Sequence, residues 1–163
     1  VKVVKVSSLF GVHYGSNLEL NRLLPDPTGI NFVSRTANNN GVSAKVQRIP
    51  GLAPIKAGVL TVAGGGSVLE TFVQPEPFYS GRDLYYLDPK TEMTLQQKLY
   101  YCMCIRKNKY RFNYGRQANR TLKDLLIPDL NEIPTWLDSA FSQVVEDWTQ
   151  TLTHFPTVSV AKA

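Results

Sequence analysis

The run from Arg106 to Arg120 holds six basic residues and no acid, with Tyr110, Phe112 and Tyr114 set between the charges. Lysine and arginine neutralise backbone phosphates and release condensed counterions, the main source of sequence-independent affinity for nucleic acid. Arginine also bonds guanine edges in bidentate fashion, and Asn or Gln does the same for adenine. On this chemistry Lys107, Lys109, Arg111, Tyr114, Arg116, Gln117 and Arg120 are candidate DNA contacts. A plainer account makes the aromatics core residues beneath a solvated basic loop.

A second polar set lies between residues 30 and 49, where a strand-like run and an alternating return run flank Asn38-Asn39-Asn40-Gly41. Asn and Gly tolerate positive φ, so this tetrapeptide predicts a turn and the segment a hairpin with a polar tip. Ser34, Arg35, Thr36, Asn38, Asn39, Asn40, Lys45, Gln47 and Arg48 are its candidate DNA-binding residues. For Asn39 and Asn40 the turn alone is an equally good reason for the residue type.

Charge sharpens this reading. Residues 1–123 carry seventeen Lys/Arg against seven Asp/Glu, a net +10, whereas residues 124–163 carry one Lys against six acids, a net −5. A basic body with an acidic tail predicts one surface that favours polyanions and another that avoids them.

Motifs for chemistry are missing. His13 and His154 share no metal-ligand spacing, and Cys102 and Cys104 cannot build a four-ligand zinc site alone. They read as reduced, buried thiols. Gly64-Gly65-Gly66-Ser67 lacks the Gly-Lys-Ser/Thr ending of a phosphate-binding loop and is followed by a strand-like run. No acid pair, nucleophile elbow or Gly-rich cofactor loop is evident. The expectation is a chain without catalysis or cofactor of its own. Two alternatives stay open: a DNA-modifying or nuclease domain with an unrecognised site, and an RNA- or protein-interaction module.

The positioning elements follow from periodicity. With 163 residues, 43% of them hydrophobic and 19% charged, the chain can bury one core. Strands are predicted at Val1 to Val6, Gly29 to Arg35, Val42 to Ile49, Gly58 to Ala63, Ser67 to Gln74, Phe78-Tyr79, Leu84 to Leu87 and Leu125 to Pro128. A short helical turn is expected at Ser7 and a short helix from Asn17 to Leu24. A longer helix opens at Thr91 or Thr94 and keeps Met93, Leu95, Leu99, Cys102 and Met103 on one side. A last helix runs from Pro134 to Gln150, with Trp136, Leu137, Ala140, Phe141, Val144, Val145 and Trp148 on one face. The fold class is α+β: an irregular, mostly antiparallel sheet of short strands with a few helices and a C-terminal helix. No apolar run is long enough to span a membrane. Val1 to Phe10 lacks the apolar core of a secretory signal, so a cytoplasmic location is expected. A chain that starts on Val1 is expected to be processed or excised from a longer protein.

Five segments in order resemble a known family. Phe32-Val33-Ser34-Arg35-Thr36-Ala37-Asn38-Asn39-Asn40-Gly41-Val42 is similar to a segment of the specificity subunits of type I and related type II restriction–modification systems. So are Gly58 to Val68, Phe72 to Asp83, Tyr110 to Arg116 and Leu125 to Pro128. The resemblance implies a target-recognition domain over residues 1–130, followed by a C-terminal helix and tail, 131–163, for partner docking or linkage. It implies readout of half of a split double-stranded DNA target in the major groove, and it brings Arg82 of the third segment into the DNA-facing set. It also implies partners: a methyltransferase, an endonuclease subunit or domain, and a second recognition domain. S-adenosylmethionine would be used in the methyltransferase, not here. Such subunits usually carry two recognition domains joined by long helices, and this chain has one.

Overall fold

The computed structural model of the chain describes residues 1–112, 118 and 120–155. Three small sheets of short strands carry the fold. β1 (Val3–Lys5) pairs antiparallel with β9 (Leu126–Pro128), so the start of the chain is sewn to residues far along the sequence. Lys2 to Asp129 (2.6 Å) and Lys5 to Asp124 (2.8 Å) add ion pairs along that seam.

The second sheet, four antiparallel strands, runs β2 (Phe10–Tyr14), β8 (Leu84–Pro89), β5 (Leu60–Ala63), β6 (Thr71–Val73). All four residues of β5 are buried, as expected for a strand covered on both faces. One face packs against α1 (Val6–Leu9) and α2 (Leu95–Lys107), joining Val6, Phe10, Leu60, Leu87, Tyr101 and Ile105 in the main core. Phe10 meets Tyr101 edge to face, with ring centroids 5.4 Å apart, a geometry the ring quadrupoles favour.

In the third sheet β3 (Pro25–Val33) lies between β4 (Val42–Val46), antiparallel, and β7 (Phe78–Ser80), parallel. Successive side chains of a strand face opposite ways. Val33 accordingly joins Val59, Phe78 and Leu84, while Phe32 joins Val46 and Tyr79 in a separate cluster. β3 is thus clamped on both sides at the point where it delivers Ser34 and Arg35.

The α+β reading with mostly antiparallel short strands agrees with this architecture. Local differences have physical reasons. The helix expected over Asn17 to Leu24 shrinks to a 3₁₀ turn at Leu20–Arg22, because Pro25 opens a strand instead. Of the two cap candidates Thr94 wins: its hydroxyl accepts from Gln97 N while the Gln97 side chain accepts from Thr94 N, a reciprocal capping box. The buried face of α2 is Tyr101, Cys102 and Ile105, and Leu95 and Met103 are exposed, so that face is turned from the expected stripe, with Cys102 common to both.

The C-terminal helix α3 (Leu137–Thr153) begins behind Pro134 and has no buried residue. Its apolar side is left open: Trp136 is 58% exposed, Val144 54% and Trp148 63%. No helix among the described residues is long and apolar enough to cross a membrane.

Candidate nucleic-acid interface

The tip between β3 and β4 is a built turn. Asn39 (φ 48°) and Asn40 (φ 54°) both take the left-handed conformation, which Asn tolerates better than most residues, and Gly41 follows at φ 80°. Asn39 Nδ2 donates to the Val42 carbonyl at 2.9 Å, and Asn40 Nδ2 to the Val73 carbonyl at 2.9 Å. Asn38 N donates to Thr36 Oγ1 (3.2 Å), Ser34 N to the Gly41 carbonyl (2.9 Å). These three asparagines are exposed, yet two of them each commit an amide proton to holding the tip in place.

Beneath the tip lies Gln74, fully buried, whose Nε2 donates to the Asn40 carbonyl (3.0 Å) and to Thr61 Oγ1 (2.9 Å). The tip is therefore bolted to β5 and β6 of the other sheet.

Arg35 leaves β3 toward the Gly64–Gly66 turn that joins β5 to β6. Its carbonyl accepts from Ser67 N at 3.4 Å, and its Nη1 pairs with Asp83 Oδ2 at 2.7 Å. The Arg35 side chain remains 37% exposed, so the pairing does not bury the guanidinium. Arg82 is exposed next to it, and the two arginines line one cleft of about 340 Å³ with Leu18, Glu19, Phe32 and Ser34.

The basic segment reaches the same turn from the opposite end of the chain. Arg106 and Lys107 close α2, where cations suit the helix C-terminus. Asn108–Phe112 continues as a 3₁₀ turn. Ala118 then buries itself and donates its N–H to the Gly64 carbonyl at 2.9 Å. Gly64 N in turn donates to the Asp83 carbonyl at 2.7 Å. Arg35, Asp83, Gly64 and Ala118 are thereby linked in one unbroken relay of contacts.

Glu70, just before β6, fixes the approach. Its carboxylate takes Lys109 directly and lies 3.9 Å from Arg106 Nη1, while the Arg106 guanidinium sits 5.9 Å from the Phe72 ring centre. Lys109 is thus partly neutralised. Lys107, Arg111 and Arg120 are exposed, with Arg111 lying over the ring of Tyr110 at 5.6 Å. Tyr114, Arg116 and Gln117 lie outside the described residues.

Lys45, Gln47 and Arg48 are exposed on and just past β4, the edge strand of its sheet. They stand toward the far end of the ribbon from the tip, since a strand advances about 3.3 Å per residue. Tyr79 holds that end: its hydroxyl accepts from Ile49 N (3.1 Å) and donates to the Leu52 carbonyl (2.9 Å).

Two acids that matter here, Glu70 and Asp83, are absent from the candidates the sequence yields. The available signal was their isolation: residues 1–123 hold seven acids, and an acid beside so many cations is a natural ion-pair partner. Both cysteines are free; they lie on α2, where burial pushes the Cys102 thiol up to about 12. Among the described residues no group of three or more His, Cys, Asp or Glu side chains converges to hold a metal ion.

No family model matches the chain. A curated protein, the type II restriction enzyme specificity subunit S.BcgI of Heyndrickxia coagulans, is 28% identical over 135 residues, which cover 80% of this chain and 39% of that protein. Among solved structures, a chain from a type I restriction–modification assembly superposes with a TM-score of 0.67 at 18% identity, over 93% of this chain and 41% of its own. The HsdS subunit of Thermoanaerobacter tengcongensis gives 0.64 at 15% identity, over 89% of this chain and 38% of its own. The type I S subunit of M. genitalium gives 0.61 at 20% identity, over 91% and 41%. The chain spans about two-fifths of the length of each of these proteins.

Proposed function

From its likeness in sequence to part of a restriction–modification specificity subunit, and in fold to part of type I subunits, we infer that this chain is a DNA target-recognition domain. It reads a short duplex sequence and directs a methyltransferase, with an endonuclease where one is present, to that site. The recognition unit is residues 1–130, closed by the β1–β9 pair. Residues 131–163 form the docking or linking segment, with the apolar stripe of α3 toward a partner and Asp138, Glu146 and Asp147 on a helix kept clear of phosphate. Methyl transfer and cleavage belong to the partners, in the cytoplasm, and this chain supplies no catalytic group.

The observation that carries this reading is the meeting of the Arg35 ribbon and the basic segment at the Gly64–Gly66 turn, through Arg35–Asp83 and Ala118–Gly64. Two stretches rich in cations and hydrogen-bonding side chains meet at one turn, and together they match what a phosphate-lined groove requires. Arg35 and Arg82 are the residues assigned to base edges. Lys107, Arg111 and Arg120 serve phosphates, together with Arg116 and Lys109. Asn38, Asn39 and Asn40 shape the ribbon and present their remaining polar atoms. Lys45, Gln47 and Arg48 extend the contact along the backbone of the duplex.

The test is a salt titration of the assembled protein on unrelated duplexes, with competition by structured RNA. The expected result is a steep linear fall of log K with log salt and preference for duplex DNA. Equal competition by RNA, or no salt dependence, would reject the assignment.

A further inference from the structure

The geometry points to Asp83 as a positioning residue that aims Arg35 at a base edge and so sets selectivity at one base pair; this rests on the DNA-recognition reading above. Arginine is long and has many rotamers, so a guanidinium that must discriminate one base needs to be held before the duplex arrives. Asp83 has the mount for that task. Its backbone is in the left-handed region at φ 51°, its N–H donates to Tyr14 Oη at 2.8 Å, and its carbonyl accepts from Gly64 N at 2.7 Å. Tyr14 is itself steadied edge to face on Tyr85, with centroids 5.0 Å apart. The carboxylate thus meets Arg35 Nη1 at 2.7 Å from a fixed platform drawn from β2, β8 and the Gly64 turn.

The Gly65–Gly66 backbone lies close beside the same ion pair. A Cβ added at Gly65 would stand 3.1 Å from Arg35 Nη1. Gly66 takes φ +61°, and a Cβ there would be 3.1 Å from the Arg35 carbonyl. Small residues keep this channel open, and side chains in it would displace the arginine.

An exposed ion pair adds little to stability, so stability alone is a poor reason to keep Asp83 in a disfavoured backbone conformation. Selectivity is a better one. A guanidinium has five N–H donors, and with one held by Asp83 the others remain for a bidentate acceptor such as guanine O6 and N7. The carboxylate also repels phosphate, which discourages Arg35 from settling on the sugar–phosphate backbone instead.

The experiment uses the complete complex that contains this chain, wild type and carrying Asp83→Asn, Gly65→Ala, Arg35→Ala or Arg35→Ala with Asp83→Asn. Affinity is measured for a duplex bearing the motif that the wild type selects from a randomised library, and for every single-base-pair variant of it, across a salt series. The wild type should discriminate about tenfold or more at the base pair Arg35 reads. Asp83→Asn and Gly65→Ala should each lose most of that discrimination, at that base pair alone, with an unchanged salt slope. Asp83→Asn should have no further effect once Arg35 is alanine. Wild-type discrimination in Asp83→Asn, additive effects in the double variant, or a uniform loss on all duplexes in both single variants would each overturn the inference while leaving DNA recognition intact. Failure of the wild type to select any motif would overturn the recognition reading as well.

Discussion

Gln74 and Asn40 stand 34 residues apart in sequence, and the buried Gln74 amide donates to the Asn40 carbonyl at 3.0 Å. With the return bond from Asn40 Nδ2 to the Val73 carbonyl (2.9 Å), this ties an exposed ribbon tip to the edge strand β6 of another sheet. A recognition loop gains precision from such an anchor, because the scaffold and not the loop fixes its position.

Gln74→Leu should therefore destabilise the fold by about 1–3 kcal/mol, the usual cost of leaving buried polar partners unmet. The Asn40 carbonyl and Thr61 hydroxyl lose their donor. Urea denaturation reads the stability, and hydrogen exchange at Gly41 and Val42 should speed up more than exchange at Leu60 or Leu87. Equal protection at all four would show that the tip does not depend on this bond.

The exposed cations of the basic segment should behave unlike Arg35. Lys107→Ala, Arg111→Ala and Arg120→Ala should each weaken binding to all duplexes alike and reduce the salt slope by about 1. Arg35→Ala should instead flatten sequence preference. The discriminating measurement is the pair of quantities together, slope and preference, for each variant. A change of motif on Lys107→Ala would contradict the division of roles.

The pH response should be one-sided. Burial pushes the Cys102 thiol up to about 12 and Tyr100 up to about 12, and raises Tyr101 further. Each is neutral in the fold and ionises more easily once unfolded. The stability from Cys102 is complete below the ordinary thiol range and is lost as pH rises from about 9 toward 12. The fold should hold constant stability from pH 7 to 8.5 and lose about 1–2 kcal/mol by pH 10.5. Cys102 should resist alkylation at pH 8 until denaturant is added. Rapid modification of Cys102 without denaturant would contradict its placement.

Removing α3 should barely affect the domain. With no buried residue in Leu137–Thr153, a chain ending at residue 135 should unfold within a few degrees of the full chain. The variant with Phe141, Val145 and Trp148 all changed to Ser should likewise keep its melting temperature while losing assembly with partners. A large drop in melting temperature would place α3 in the domain core and move the boundary.

The outline of this fold was legible in the residues. Short apolar runs bounded by turn residues marked β3, β5 and β8, alternation marked β4, and Asn38 to Gly41 marked the turn between β3 and β4, because such runs and positive φ are local properties. The rotation of α2 was not legible. Whether Met103 or Tyr101 faces inward depends on where the four-stranded sheet lies, which is a tertiary matter. The same holds for the site. Arg35 stood out by type, but its partner Asp83 lies 48 positions on. Only the pairing of β8 with β2 and β5 brings Tyr14, Asp83 and Gly64 together. The charge asymmetry announced a basic face, while the clamp of Glu70 on Lys109 and Arg106 needed β6 beside α2.

The central claim is that residues 30–49 and 106–120 together choose the DNA sequence. The most direct measurement is sequencing of methylated sites in cells that carry the complete system, with each stretch exchanged for its counterpart from a relative of different specificity. Exchange of both should rewrite one half of the methylated motif and leave the other half unchanged. A motif that survives the double exchange intact, in cells where methylation persists, would contradict the account.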